Sequence, residues 1–413
     1  MSDTAPLHPL EVDVAIVGGG MVGASLAAGL IGTGVRALLI EAVPFGASAQ
    51  PSFDERTTAL GNASRRIFEG LSVWEAIAAE AAAIRAIHIS DAGRFGSARL
   101  VAEEQGIDAF GYVVPNRRIG AALWSRLKEA AELTLRVPGQ VEDVAIAAAG
   151  VRLNVASNGR REAVTARLVV AADGAHSQIR SAAGIEAAVE DYQQVAVVAN
   201  VAVDTPHGGV AHERFTPAGP LAVLPLADGT RSVIWACRRE DAPGVLALDD
   251  AAWLTELQAR FGWRAGRFVR AGRRASYPLK LTRAAAPVAT RTVLIGNAAQ
   301  ALHPVAGQGF NLGLRDAAML AEMIAGSTGD VGAQALLEQF AAWRARDRRG
   351  VTRFTDSLVR LFGDERFGVG VLRNLGLLLF DLSPPAKSAL ARVSLGFGGP
   401  TPRLARGLPV RHA

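Results

Sequence analysis

Residues 12–17 form a short apolar run interrupted only by Asp13, the pattern of a strand buried within a parallel sheet. Gly18–Gly23 follows at once, then residues 24–33 with helical composition, a stop at Gly34, and a second apolar run over 36–40 that closes on Glu41. That order describes a β-α-β unit. Residues 42–55 carry prolines, a glycine and small polar side chains, and read as a surface loop. Residues 64–82 predict a helix, 84–90 and 98–101 alternate as antiparallel strands, 116–131 predict a helix and 133–137 a strand. Residues 141–148, 151–157 and 162–166 read as a small meander with turns at Ala149-Gly150 and Asn158-Gly159, after which 168–172 returns to the buried, continuous type.

From about residue 187 to 275 the pattern becomes that of antiparallel strands, at 195–203, 212–216, 221–226 and 231–238, with turns such as Asp228-Gly229. This predicts a second sheet with its own core. Residues 292–295 again read as a buried strand and 311–325 as a helix, so the chain leaves the first domain and re-enters it. Residues 340–398 are helical, with Phe354, Leu358, Leu361 and Phe362 on repeating faces.

Composition narrows this picture. The chain has 413 residues, 50% of them hydrophobic, which suffices for a large core and excludes global disorder. The single cysteine, Cys237, excludes an internal disulfide and a paired-thiol redox centre, and its strand-like surroundings predict a buried thiol. The net charge of +5 is modest. Arg344, Arg346, Arg348 and Arg349 cluster late, followed by Arg403, Arg406 and Arg411. They read as a solvated helix face, with attraction to anionic lipid or an acidic partner as the alternative. No basic-aromatic interleaving points to nucleic acid. His207 and His212 lie in strand-like surroundings on opposite faces, and no metal-ligand cluster stands out. The apolar stretch 367–382 is interrupted by Arg373 and Asn374, so no membrane span is expected. A cytoplasmic protein follows, with peripheral contact at the inner membrane as the alternative.

Three glycine-rich segments carry the chemistry. Gly18, Gly20 and Gly23 have the G-x-G-x-x-G spacing, in which the glycines permit a tight turn, close backbone approach to a pyrophosphate, and close helix packing. The following helix offers its N–H groups and positive dipole end to phosphate, and Glu41 to ribose hydroxyls, favouring FAD or NAD over NADP. The second segment is Ala172-Asp173-Gly174-Ala175-His176-Ser177, with Arg180 close behind as a cation near phosphates. The third is Gly296-Asn297-Ala298-Ala299-Gln300, running into His303-Pro304-Val305-Ala306-Gly307-Gln308-Gly309-Phe310-Asn311. Backbone N–H groups at the helix start after Gly307-Gln308-Gly309 would stabilise negative charge on a reduced ring system.

Taken together, these segments resemble the aromatic hydroxylases of the para-hydroxybenzoate hydroxylase type. Where that family has Gly-Asp in its third segment, this chain has Gly296-Asn297, and Gln300 replaces a histidine. Gly-Asn-Ala-Ala-Gln, the His-Pro-x-Ala-Gly-Gln-Gly-Phe-Asn-Leu-Gly run, residues 53–60 and Val113-Val114-Pro115-Asn116-Arg117 are similar to the 2-polyprenyl-6-methoxyphenol hydroxylases of ubiquinone biosynthesis. The resemblance implies an α/β fold: a Rossmann-like FAD-binding domain (1–75, 105–186 and 276–340), an inserted antiparallel β-sheet substrate domain (76–104 and 187–275) and a C-terminal helical region (341–413). It implies an FAD-dependent, NAD(P)H-using monooxygenase that hydroxylates a polyprenylated methoxyphenol with O2 through a flavin C4a-hydroperoxide. Gly18, Gly20, Gly23, Glu41, Arg56, Arg117, Asp173, Gly174, Arg180, Gly296, Asn297, Gly309 and Asn311 are then expected to bind the cofactor, with Arg56 and Arg117 as cations for the pyrophosphate and flavin edge. Pro304, Gly307, Gln308 and Gly309 are expected beside the reacting ring.

Residues 221–226 and the loop 216–220 are the expected pocket lining, and no base is identified. A polyprenyl tail implies contact with a membrane or a ubiquinone-biosynthesis complex; homo-oligomerisation is left open. A prenyl reductase or a noncatalytic flavoprotein scaffold remain alternatives. A halogenase is disfavoured because Trp263 stands in Phe-Gly-Trp-Arg and not in a W-x-W-x-I-P motif.

Overall fold

The structure is a computed structural model describing residues 9–46, 56–93, 96–301, 308–363, 383 and 401–410, with backbone alone at 308 and 349–363. The chain enters as β1 (Leu10–Val17), turns through the glycine loop into α1 (Met21–Leu30) and returns as β2 (Ala37–Ile40). Next come β3 (Thr57–Gly61), α2 (Asn62–Gly70), α3 (Trp74–Ala78), β4 (Ala82–Ile84), β5 (Ala86–Asp91) and β6 (Ser97–Val101). β7 (Gly111–Pro115) runs into α4 (Asn116–Lys128) and β8 (Thr134–Arg136), then β9 (Gly139–Ala147), β10 (Gly150–Ser157), β11 (Arg160–Ala171) and α5 (Gln178–Ala182). β12 (Ala187–Val203), β13 (Val210–Thr216), β14 (Gly219–Pro225) and β15 (Arg231–Arg238) precede α6 (Ala242–Ala247) and α7 (Asp250–Phe261). The rest is β16 (Phe268–Ala271), β17 (Ala275–Ala284), β18 (Val288–Ala289), β19 (Thr292–Leu294), β20 (Gln300–Ala301), α8 (Gln308–Ala325) and α9 (Gln334–Gly363).

Among the described residues, one sheet has the order β18-β19-β11-β1-β2-β8, with β10 and β9 added to β11. Its centre is parallel: β1 pairs with β11 and β2, and β11 with β19. A second sheet runs β20-β17-β12-β15-β14-β13-β5-β6, and β3, β7 and β4 form a small third sheet. From Val14 onward β1, and all of β2, are continuous apolar runs because helices cover one face of the sheet and the meander the other.

Three elements differ from the sequence pattern for physical reasons. Residues 162–166 and 168–172 are one strand, β11, which pairs antiparallel with β10 near its start and parallel with β1 along its length. The helix expected over 64–82 is broken after Gly70, where Ser72 takes a left-handed φ of 59°. The helix α7 lies where only strands were expected. Asp249 caps it, its carboxylate accepting from the Ala252 N–H at 2.8 Å, and Trp253, Leu257 and Phe261 recur at helical spacing and are buried against β12, β14 and β15. Burying such side chains contributes about 1.5–3 kcal/mol each.

Two of the late arginines leave the expected solvated face, whereas Arg346 and Arg406 are exposed. Arg344 and Arg348 of α9 are buried and both bind Asp316 of α8, at 3.1 and 2.6 Å, while Arg315 donates to Asp347 at 2.9 Å. Arg348 also donates to the Gln300 side chain. Arg346 alone of the first four named arginines is described as exposed. Truncating one partner of such a network leaves buried charge uncompensated. Asp316→Ala should therefore lower unfolding free energy by about 3–5 kcal/mol, read from denaturant melts, whereas Arg346→Ala should change it by under about 0.5 kcal/mol.

Candidate active site

Three chain segments converge at the C-terminal ends of β1, β11 and β19. Gly18 has φ +102°, and a Cβ there would lie 2.4 Å from the Ala172 carbonyl oxygen. A Cβ on Gly23 would lie 1.9 Å from the Gly18 oxygen, and one on Gly19 2.7 Å from the Trp124 ring and 2.8 Å from Glu41. The loop is therefore a backbone-only surface. Gly20 caps α1 without a side-chain bond, and the first turn has no acid, so its N–H groups remain for an anion. Glu41, at the end of β2, accepts from the Gly19 N–H at 2.5 Å and the Val43 N–H at 2.8 Å, which holds its carboxylate against the loop.

The second and third segments meet the first from the side. Asp173 accepts from the Ile179 N–H at 3.3 Å through one oxygen, and its other, buried oxygen has no partner. Gly174 turns at φ +86° with open space where a Cβ would be. Arg180 departs from expectation. Its buried guanidinium donates to the carbonyls of Ala298 and Ala175, each at 2.9 Å, so it braces the second segment against the third and does not stand as a free cation. Gly296 (φ +57°) opens a tight turn beside Val22, and Asn297 is exposed.

The helix after the third segment begins at Gln308, three residues before the expected start, so Gly309 lies in its first turn. Asn311 is a clamp: its amide oxygen accepts from the Gly61 N–H (2.9 Å) and the Ser64 hydroxyl (2.6 Å), and its NH2 donates to the Ala59 carbonyl (2.9 Å). That side chain is occupied by protein, and only its backbone is left for a ligand. Pro304 and Gly307 lie outside the described residues, as does the side chain of Gln308.

Of the two expected arginines, Arg56, just before β3 of the small sheet, stacks over the Tyr277 ring of β17 in the second sheet at 4.4 Å. Arg117, near the start of α4, pairs with Glu80 at 2.6 Å on the surface. The expected lining is divided by strand alternation: Leu221 and Val223 are buried under α7, whereas Pro220, Ala222 and Leu224 face the other way and are half-buried. That second face also carries Ser232, which accepts from the Thr57 hydroxyl of β3 at 3.1 Å, so it is turned toward the glycine-segment domain.

Periodicity had flagged the strand containing Glu213 but not Glu213 itself, which lies on this face. Burial pushes its carboxyl up to about 7. His212, on the opposite face, is packed with His88 and Phe261, and burial with nearby positive charge takes it down to about 4, so it stays neutral. His207 is tied up in a turn, bonded to the Leu226 carbonyl and the Gly209 N–H. Among the described residues no His, Cys, Asp and Glu grouping could hold a metal ion. Cys237 is buried and free.

A family model described as "FAD binding domain" matches residues 11–355. The chain is also 37% identical over 405 residues to the ubiquinone hydroxylase UbiL of Rhodospirillum rubrum, covering 96% of this chain and 93% of that one. This chain belongs to that FAD-binding family. Another relative is the 3-demethoxyubiquinol 3-hydroxylase of Escherichia coli, 32% identical with 93% of this chain and 98% of that protein covered. In fold, the chain is similar to p-nitrophenol 4-monooxygenase PnpA of Pseudomonas putida, at TM-score 0.78 and 18% identity over 94% of this chain and 99% of that one. As a member of this family, the protein is an FAD-dependent monooxygenase.

The residues present fit FAD. The loop without side chains and the uncapped α1 terminus suit a pyrophosphate, Glu41 suits a ribose, and the unpartnered Asp173 oxygen is a buried acceptor awaiting a donor. A Cβ at Gly18 adds backbone strain of about 1–2 kcal/mol to the clash. Gly18→Ala should therefore lower FAD content at least about tenfold, measured as flavin absorbance per protein after saturation with FAD.

Glu213 gives a pH prediction. Its folded pKa lies above the usual 4.5, near 7, so the folded state binds the proton more tightly than the unfolded one. Stability from this group is full below pH 4.5 and is lost as pH rises toward 7. Glu213→Gln should thus match wild type at pH 4.5 and be more stable at pH 8, by about 1–3 kcal/mol after allowing for the open side of the cleft. Thermal melts at the two pH values measure it.

Proposed function

We propose that this enzyme hydroxylates the ring of a polyprenylated methoxyphenol on the route to ubiquinone, with NAD(P)H and O2 as co-substrates. The observation that carries this reading is the sheet face containing Ala222, Leu224, Ile234 and Val198. It is apolar, half-buried and turned toward the flavin-binding strands, while the opposite face of the same strands is fully packed. Such a face suits an aromatic ring bearing a long hydrocarbon substituent. The similarity to ubiquinone hydroxylases supports the same substrate class.

Bound FAD supplies the two-electron redox chemistry and the activation of oxygen. The chain's own groups do the rest. Gly18–Gly23 and the α1 terminus hold the pyrophosphate, and Glu41 orients the adenosine ribose. Asp173 takes a donor from the cofactor's central region, and the exposed amide of Asn297 both donates and accepts where an aspartate would only accept. Arg56 is the cation for the flavin edge, fixed in direction by Tyr277; Arg117 reaches a phosphate only by leaving Glu80. Gln308, Gly309 and the following turn of α8 present N–H groups, at the positive end of the helix, to charge on the reduced ring. The apolar roof excludes water from the reacting pair.

The long tail of such a substrate requires delivery from the inner membrane or from a biosynthetic complex, and peripheral contact there is the finer part of the proposal. No helix among the described residues is long and apolar enough to cross a membrane.

The test is product analysis. Purified enzyme with FAD, NAD(P)H, O2 and a short-chain 2-prenyl-6-methoxyphenol should yield a product one oxygen heavier, and a strain lacking the protein should accumulate the unhydroxylated polyprenyl phenol. Normal ubiquinone in that strain, with no second hydroxylase present, would overturn the reading.

A further inference from the structure

Strand register places Val198, Ile234, Ala222, Glu213 and Ile89 in one row across β12, β15, β14, β13 and β5. Cross-strand partners share a face, so Glu213 stands on the roof described above. Its neighbours along β13 on that face are Ala211 and Phe215, and its diagonal neighbours on β14 are Pro220 and Leu224. All are apolar. His212 and Arg214 point to the opposite face, as does His88, which pairs with His212 in register.

Few charged groups share this face. Asp91 lies on β5 opposite Phe215, and Arg56 with Tyr277 of β17 lies at the far side of the sheet, two strands beyond Ile234. Neither opposes Glu213 directly. No hydrogen bond or ion pair to it is formed among the described residues, and desolvation is what raises its pKa. An unpartnered carboxyl among apolar side chains costs folding free energy. A structural position would be better served by glutamine or leucine. Its neighbours Ala211, Ile89 and Leu224 pack with Phe110 and with Ile84 and Val113 of the small sheet, so the carboxyl has no partner among the described residues, while Glu213 itself keeps intermediate exposure.

We propose that Glu213 is the proton acceptor for the ring hydroxyl of the bound phenol, a catalytic role that rests on the hydroxylase reading above. In the step, the phenolic O–H bond breaks and its proton forms an O–H bond with a Glu213 carboxylate oxygen. The electron pair stays on the phenolate oxygen and enriches the carbon para to it, the position from which the ring attacks oxygen. After product release the proton passes to solvent, to which Glu213 is partly exposed. A carboxyl poised near neutrality is better matched to this exchange than an ordinary glutamate.

The role is tested on the FAD-loaded enzyme with a short-chain 2-prenyl-6-methoxyphenol, following flavin fluorescence on binding and product formation between about pH 5.5 and 8.5. A neutral phenol donates to the ionised carboxylate, so wild-type Kd should tighten about tenfold as pH rises through 7. Glu213→Gln should make Kd independent of pH and lower kcat about 10²–10⁴-fold, while FAD content and anaerobic flavin reduction by NAD(P)H in the absence of phenol stay at wild-type levels. Glu213→Asp should restore a pH dependence. The O-methylated phenol, which has no proton to give, should bind wild-type enzyme with no pH dependence, a measurement that needs no variant. Wild-type turnover together with an unchanged pH profile in Glu213→Gln overturns the role alone. Wild-type enzyme that neither binds nor hydroxylates the phenol overturns the hydroxylase reading as well.

Discussion

Everything in the cofactor-binding half depends on a contact that admits no side chain. Gly23 approaches Gly18 so closely that a Cβ would fall 1.9 Å from its carbonyl oxygen, and Gly18 in turn presses on Ala172 and Asp173. The third segment and α8 close on the same point: Val22 fits between Gly296 and Gly313, at 3.1 and 2.9 Å from where their Cβ atoms would be. Helices and strands from three distant parts of the chain thus meet backbone to backbone. The braces around them serve this contact. Arg180 ties the second segment to the third, and Asn311 ties α8 to the β3–α2 junction. Two residues that spacing marks as ligands are the struts that hold the ligand surface in shape.

This explains what was legible in the sequence. A glycine that must lack a side chain is visible as a letter, so the three segments, and the β-α-β unit of residues 12–41, could be read directly. The bracing role of Arg180 and Asn311 was not legible because a polar residue next to a glycine loop looks the same whether it faces a phosphate or a carbonyl. The late arginines failed for a related reason. Leu337, Phe340, Arg344, Asp347 and Arg348 follow helical spacing, so the buried stripe of α9 passes from apolar to charged without leaving the face. Charge alone suggested solvent; only the facing Arg315 and Asp316 of α8 show that those arginines have buried partners.

The roof was legible as strands but not as faces. Alternation shows that neighbouring residues point opposite ways and does not say which way is the site. Tertiary packing decides it: α7, an element the strand-rich pattern concealed, covers Leu221, Val223, Val233 and Trp235. The other face is left to whatever lies between the sheet and the flavin domain, which is how Ala222 and Ile234 become lining and Leu221 becomes core.

The same asymmetry accounts for a carboxyl in so apolar a place. On the α7 side an unpaired Glu would meet packed carbon and aromatic rings, and the fold would favour its replacement. On the other face the desolvation of Glu213 is a cost carried by the free enzyme, while the benefit appears only with a proton donor against it. Flavin chemistry asks little of side chains beyond holding, drying and deprotonating. The backbone cradle does the first and the apolar strands the second. On the roof, Glu213 is the group whose chemistry matches the third.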